Sequence, residues 1–159
     1  MGEELKEKLF TKKEDGWKSL TTNQKEELVM ITENYMKFLN KSKIEREFIK
    51  NAKELADRNG YTDIMNKQTL VPGDKVYFIN REKSMYLAVI GTDKLENGIQ
   101  IVGAHIDSPR LDLKPNPLYE DSGFAYFKTH YYGGIKKYQW TTIPLSLHGV
   151  IVKANGEKI

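Results

Sequence analysis

Ile99-Gln100-Ile101-Val102-Gly103-Ala104-His105-Ile106-Asp107-Ser108-Pro109 is a short, nearly unbroken apolar run that ends in a histidine, a carboxylate, a hydroxyl and a proline. An apolar run of this length, rich in Ile and Val and following Gly98, reads as a strand covered on both faces. In a mixed α/β sheet the loop at the carboxyl end of such a strand is where ligands and metals are held, because the strand fixes position while the loop exposes side chains. His105 and Asp107 are two residues apart, so in extended backbone both project to one side. A metal-binding histidine needs its second ring nitrogen held by an acceptor, and a carboxylate is a common choice. The His-x-Asp spacing allows that pairing. The same triplet also reads as a capped strand end, in which Asp107 or Ser108 bonds nearby backbone amides. Spacing alone leaves both readings open.

Working outward, Lys75-Val76-Tyr77-Phe78-Ile79-Asn80 and Ser84 to Gly91 are two further strand-like runs, joined by the polar Asn80-Arg81-Glu82-Lys83 as in a hairpin. Leu87 to Ile90 is apolar enough to predict burial on both faces. Upstream the period becomes helical. Leu28, Ile31, Tyr35, Phe38 and Leu39 recur every three or four residues, and Asn23 with Glu26 supplies an N-terminal cap, so a helix runs to about Leu39. Ser42 with Glu45 has the capping-box pattern, and Ile44, Phe48, Ile49, Ala52, Leu55 and Ala56 form one stripe before Asn59-Gly60 ends a second helix. Lys50, Lys53 and Glu54 form its solvated face. Ahead of both, Glu14-Asp15-Gly16-Trp17-Lys18 is a polar lead-in with one aromatic anchor. The fold class is α/β, two helices on a mixed sheet, followed by a β-rich stretch.

Downstream, Phe124 to Phe127 and Leu145 to Lys153 are strand-like, while Pro109, Pro115 and Pro117 predict an irregular crossing between the two parts of the chain. We set the domains at residues 1–112 and 113–159, without internal repeats or low-complexity tracts.

Composition narrows the function. The chain has 159 residues, 39% hydrophobic and 30% charged, about the size of one folded domain. Its net charge of +3 is scattered in both signs, so nucleic acid is not an expected partner. Without cysteine, any metal must be held by His, Asp and Glu. The N-terminus has no signal-peptide core and no apolar stretch is long enough to cross a bilayer, so we expect a cytoplasmic protein with no membrane partner. Gly133-Gly134 lacks the phosphate-loop pattern, and Ser108 is not in a Gly-x-Ser-x-Gly turn. His148 lies in a strand-like run and reads as packed or half-exposed. His130, beside Tyr131-Tyr132-Gly133-Gly134, reads as part of a turn or of a groove wall.

Val102-Gly103-Ala104-His105-Ile106-Asp107-Ser108-Pro109-Arg110-Leu111-Asp112-Leu113-Lys114-Pro115 resembles the first metal-site motif of the aspartyl aminopeptidase and aminopeptidase I family of zinc peptidases. Tyr132-Gly133-Gly134-Ile135, Trp140 and Leu145 to Lys153 are similar to the family's glycine-rich stretch, its following Trp and a Leu-x-Leu-x-Gly strand. The helical start with Trp17 is similar too, so the resemblance covers essentially the whole chain. It departs at Trp140-Thr141-Thr142-Ile143-Pro144, where the family commonly carries a Trp-Phe-Asp-Arg type sequence.

The resemblance implies a two-zinc exopeptidase that removes N-terminal, often acidic, residues from peptide substrates and assembles as a homo-oligomer. It implies His105 as a zinc ligand and Asp107 as the catalytic-site carboxylate that orients it. In such a site the metals activate a bridging water and polarise the scissile carbonyl. It further implies that the chain is an N-terminal portion, inactive alone, holding the first part of a zinc-exopeptidase catalytic domain and the start of an inserted β-rich domain. The alternative is a short non-catalytic relative that serves oligomerisation or modulates a full-length peptidase.

Overall fold

The computed structural model describes residues 2–11 and 15–159 and divides the chain into two compact units, Met1–Leu39 and Asn40–Ile159. Of the polar lead-in, Glu14 lies outside the described residues.

The first unit is helical: α1 (Gly2–Leu9), α2 (Gly16–Ser19) and most of α3 (Thr22–Lys41). Asp15 caps α2 by accepting from the Trp17 amide at 3.1 Å. Trp17 is about half exposed, with Lys25 5.8 Å from the centre of its ring. The cap of α3 differs from the sequence expectation. The reciprocal pair is Thr21 and Gln24: the Thr21 amide donates to the Gln24 side chain at 2.9 Å, and the Gln24 amide to the Thr21 hydroxyl at 3.3 Å. Asn23 is already inside the first turn, so its side chain cannot serve as the cap. No residue of α3 is buried, although its apolar stripe is helical as expected.

In the second unit α4 (Glu45–Arg58) packs with a three-stranded sheet of β1 (Thr62–Asp63), β2 (Lys75–Asn80) and β3 (Ser84–Val89), in the order β1-β2-β3. β1 runs parallel to β2, and β3 antiparallel to it, with Asn80 opposite Ser84 and Lys75 opposite Val89. At the hairpin tip Arg81 and Glu82 take left-handed backbone angles of 52° and 59° in φ. Glu82 is held there by Arg46 of α4 and by Lys158. The core is Ile49 and Ala56 of α4 with Val76 and Tyr77 of β2. Helix α4 ends where the sequence says it does: Gly60, at φ 80°, donates to Asp57, and Tyr61 returns to the Ala56 carbonyl.

Its start does not follow the capping-box expectation. Ile44 occupies the cap position with extended backbone and no side-chain cap bond. Ser42 is buried instead, accepting from Asn51 at 3.0 Å, and the exposed amide of Lys43 is satisfied by Glu47 at 2.8 Å. Glu47, two positions beyond the expected glutamate, thus serves the Lys43 amide, while the Ser42 hydroxyl faces Asn51 and not the helix start.

Residues 98–109 form no strand. Ile101 is 79% exposed and Val102 fully exposed, and Leu87 and Val89 of β3 are also more than half exposed. A strand exists only with a hydrogen-bonded neighbour, and among the described residues none lies beside this run. The apolar pattern reports which surface is suited to burial, and the described residues do not supply the expected two-sided cover.

The remainder is a second, two-stranded sheet of β4 (Arg110–Asp121) and β5 (Phe124–Tyr132), joined at Ser122-Gly123 with positive φ at both residues. Pro115 and Pro117 fall in the stretch where the register shifts, between Leu113 and Leu118, which is where strands admit prolines. The irregularity is therefore inside β4, and β5 extends five residues beyond the expected Phe127. Leu145 to Lys153 is not a strand either. Its end folds back on the chain terminus, with Lys153 donating to Glu157 across Gly156 and a bridge between Val152 and Lys158. A final short helix, α5 (Lys137–Trp140), precedes it. The α/β class holds: helices with a mixed sheet.

Candidate functional site

The loop 98–109 delivers its polar residues to the point where β4 begins and β5 ends. Arg110, the first residue of β4, pairs with Tyr132, the last of β5. Gly133 follows at φ 73°, and a Cβ placed there would stand 3.4 Å from Pro109, so the chain after β5 passes close against the loop.

Within this junction His105 and Asp107 meet. The His105 Nδ1 lies 3.0 Å from the Asp107 carboxylate and 3.1 Å from the Asp107 carbonyl. Both are acceptors, so this nitrogen carries the proton and the Nε2 lone pair is presented outward. The His105 side chain is 82% exposed, whereas that of Asp107 is about one-third exposed. The neighbouring Tyr132 hydroxyl, Asp107's own amide and the His105 contact hold the Asp107 carboxyl below its ordinary range. Conversely, the anionic carboxylate pushes the Tyr132 phenol up. The histidine pairing is present, and with no strand formed at 98–109 there is no strand end for Asp107 or Ser108 to cap.

Arg110 closes the cluster. Its guanidinium lies 4.2 Å from the centre of the Tyr132 ring, donates to Asp112 at 2.7 Å and to the Ser108 carbonyl at 3.3 Å, and reaches Glu45 of α4 at 3.3 Å. The hydrogen bond to Asp112, with Glu45 nearby, raises its already high pKa.

The other histidines are elsewhere. His130 lies in β5 opposite Asp112 and stacks on Tyr131, in a strand and not a turn. His148 does have a carboxylate partner, one the local spacing could not reveal: its Nδ1 is 2.7 Å from Glu47, 101 residues away, and its Nε2 is 2.8 Å from the Ser146 hydroxyl. Burial opposes ionisation of Glu47, but bonds from His148 and the Lys43 and Ile44 amides outweigh it and hold its carboxyl below the usual range. Tyr132, Arg110 and Glu45 were likewise missed as site residues. The only sequence signals for them were Arg110 inside the motif and the Tyr before Gly133-Gly134.

Among the described residues no three His, Asp or Glu side chains converge as a metal site would require. A catalytic zinc takes three protein ligands and a water, so the described residues do not by themselves fit one. Within the motif they supply the His105 imidazole, with its Nδ1 held by Asp107. No helix among the described residues is long and apolar enough to cross a membrane.

Comparison with known proteins places these observations. The family model described as aminopeptidase I zinc metalloprotease (M18) matches residues 38–159. A probable M18 family aminopeptidase 1 of Borrelia garinii is 46% identical over 148 residues, covering 93% of this chain and 32% of the relative. Its counterpart in Clostridium acetobutylicum is 47% identical over 152 residues, covering 93% and 33%. Among solved structures, aminopeptidase I from Borrelia burgdorferi superposes with a TM-score of 0.86 at 42% identity, covering 92% of this chain and 36% of that one. The M18 aminopeptidase of Thermotoga maritima gives 0.85 at 41% identity, covering 94% and 32%. The chain spans about a third of the length of the curated relatives it matches. With the His105–Asp107 motif, the mixed α/β fold and a family match over most of its length, the chain belongs to the M18 family of aminopeptidases.

Proposed function

We propose that this chain provides the first metal-ligand segment of a zinc aminopeptidase that removes N-terminal residues, acidic ones among them, from peptides. His105 is the ligand and Asp107 the carboxylate that fixes its tautomer. The observation that carries the reading is the 3.0 Å contact between His105 Nδ1 and Asp107, inside the stretch 38–159 that the M18 family model matches. Accepting the Nδ1 proton directs the Nε2 lone pair away from the protein, the orientation a ligand needs. The complete site would hold two zinc ions in a cytoplasmic homo-oligomer. Residues 1–112 would belong to its catalytic domain and residues 113–159 to an inserted β-rich one.

Because no three His, Asp or Glu side chains converge among the described residues, the chain alone is inactive. The test is an assay of the isolated chain, with zinc or cobalt, on aminoacyl chromogenic substrates. No hydrolysis above buffer is expected. Robust hydrolysis that disappears in His105→Ala would overturn the claim of inactivity. The missing donors also motivate a second reading, a non-catalytic partner of a full-length M18 peptidase. Co-purification of such a peptidase with the chain from its host favours that reading.

A further inference from the structure

We propose that Ser146 is an activated nucleophile, with His148 as its general base and Glu47 as the residue that positions the base. The three side chains form one run of hydrogen bonds. The Ser146 hydroxyl lies 2.8 Å from His148 Nε2, and His148 Nδ1 lies 2.7 Å from Glu47 Oε1. The second oxygen of that carboxylate accepts from the Lys43 amide at 2.8 Å, so Glu47 is fixed at both oxygens.

The roles follow from which atoms can donate. An ionised carboxylate only accepts, so in neutral His148 the proton sits on Nδ1 and the Nε2 lone pair faces the hydroxyl. Ser146 therefore donates to Nε2, the arrangement in which an imidazole can take the hydroxyl proton. The side chains of His148 and Glu47 are 29% and 33% exposed, while Ser146 is exposed and open to a reagent. The local sequence shows only the Ser-x-His pair, because the carboxylate comes from α4.

On attack, Oγ bonds to the electrophilic carbon or phosphorus and its proton passes to Nε2. The leaving group departs with the electron pair of the broken bond, and the imidazolium so formed is stabilised by the Glu47 carboxylate. The activation comes from the imidazole, so the groups accepted are those whose leaving group needs no protonation: the acyl group of an activated ester or the phosphonyl group of a phosphonyl fluoride. The step involves neither His105 nor Asp107, and its outcome is independent of the metal-ligand reading.

The test treats the 159-residue chain at neutral pH with a phosphonyl fluoride and follows the adduct at each serine by peptide mass spectrometry. Ser122 is the internal reference, an exposed hydroxyl bonded to the Asp121 carboxylate at 3.0 Å instead of to an imidazole. The adduct should form at Ser146 at least tenfold faster than at Ser122, within the roughly 10²–10⁴-fold that a positioned base contributes. His148→Gln and Glu47→Gln should each lower that ratio at least fivefold, with far-UV circular dichroism confirming that the variants are folded. Long-range proton–nitrogen NMR should show His148 favouring Nδ1–H in the unaltered chain and losing that preference in Glu47→Gln. Equal rates at Ser146 and Ser122 in the unaltered chain overturn the proposal without recourse to a variant. A high ratio that survives His148→Gln removes the general base. An unchanged ratio or an unchanged tautomer in Glu47→Gln overturns the positioning role of Glu47.

Discussion

Helix α4 carries one apolar stripe, but the structure buries its members unequally, and that difference can be measured. Ile49 is 3% exposed and Leu55 is 52% exposed. Truncation to alanine removes three carbon atoms at either position. At ~0.8 kcal/mol per buried carbon, Ile49→Ala loses about 2.4 kcal/mol of transfer free energy. The penalty for the cavity is small here, because the core has few fully covered residues and its surroundings can relax, so the total stays near the low end of the roughly 2–5 kcal/mol range. For Leu55 about half of that surface is already in water, and alanine is the better helix former, so the cost is below about 1 kcal/mol. Urea unfolding followed by far-UV circular dichroism reads the difference. With a slope of about 1–3 kcal/mol per molar, Ile49→Ala should lower the midpoint by roughly 1–2 M and Leu55→Ala by well under half of that. Equal shifts would mean that the exposed side of the stripe is covered in solution, and would refute the burial pattern on which the α4–sheet core is argued.

Three further outcomes are expected. Glu47 has a depressed carboxyl, so its contribution to stability is present above its unfolded value near 4.5 and is lost as pH falls through the lower folded value. The urea midpoint of the chain should therefore drop, as pH falls below about 4.5, more steeply than that of Glu47→Gln, and parallel curves would count against the His148 and Lys43 contacts. Thr21→Ala should cost about 1 kcal/mol in the stability of α3, while Asn23→Ala should be near neutral by the same helicity measurement; the opposite ranking would restore Asn23 as the cap. Gly133→Ala faces both a positive φ and Pro109, so beyond the ~1–2 kcal/mol of a left-handed alanine it should also shift the amide signals of residues 105–110. Gly60→Ala, which has open space around it, should bear the backbone cost without that shift.

Local patterns carried the helices and the first hairpin because what fixes them is local. The stripe from Ile44 to Ala56, the stop at Asn59-Gly60 and the turn at Asn80 to Lys83 each depend on residues within one or two turns of the chain. The caps were less legible, since Ser42 or Ile44, and Asn23 or Thr21, can each stand at the start of its helix and only geometry decides between them. The runs 98–104 and 145–153 read as strands from their composition, yet strand formation requires a neighbour, and the sequence of one run says nothing about whether a partner lies beside it. His105 and Asp107 were legible because their pairing spans two residues. Tyr132, Arg110, Glu45 and the Glu47–His148 contact were not, because each joins segments brought together only by the β4–β5 register or by the docking of α4.

The central claim is that His105 is a metal ligand of an M18-type site that this chain completes only in part. Its most direct test exchanges the matched third of the Clostridium acetobutylicum relative for residues 1–159 and measures aminopeptidase activity and bound zinc. The chimera should hydrolyse aminoacyl substrates, and His105→Ala within it should lose activity at least a hundredfold together with part of its zinc. A chimera that keeps both its activity and its full zinc content after His105→Ala would contradict the account.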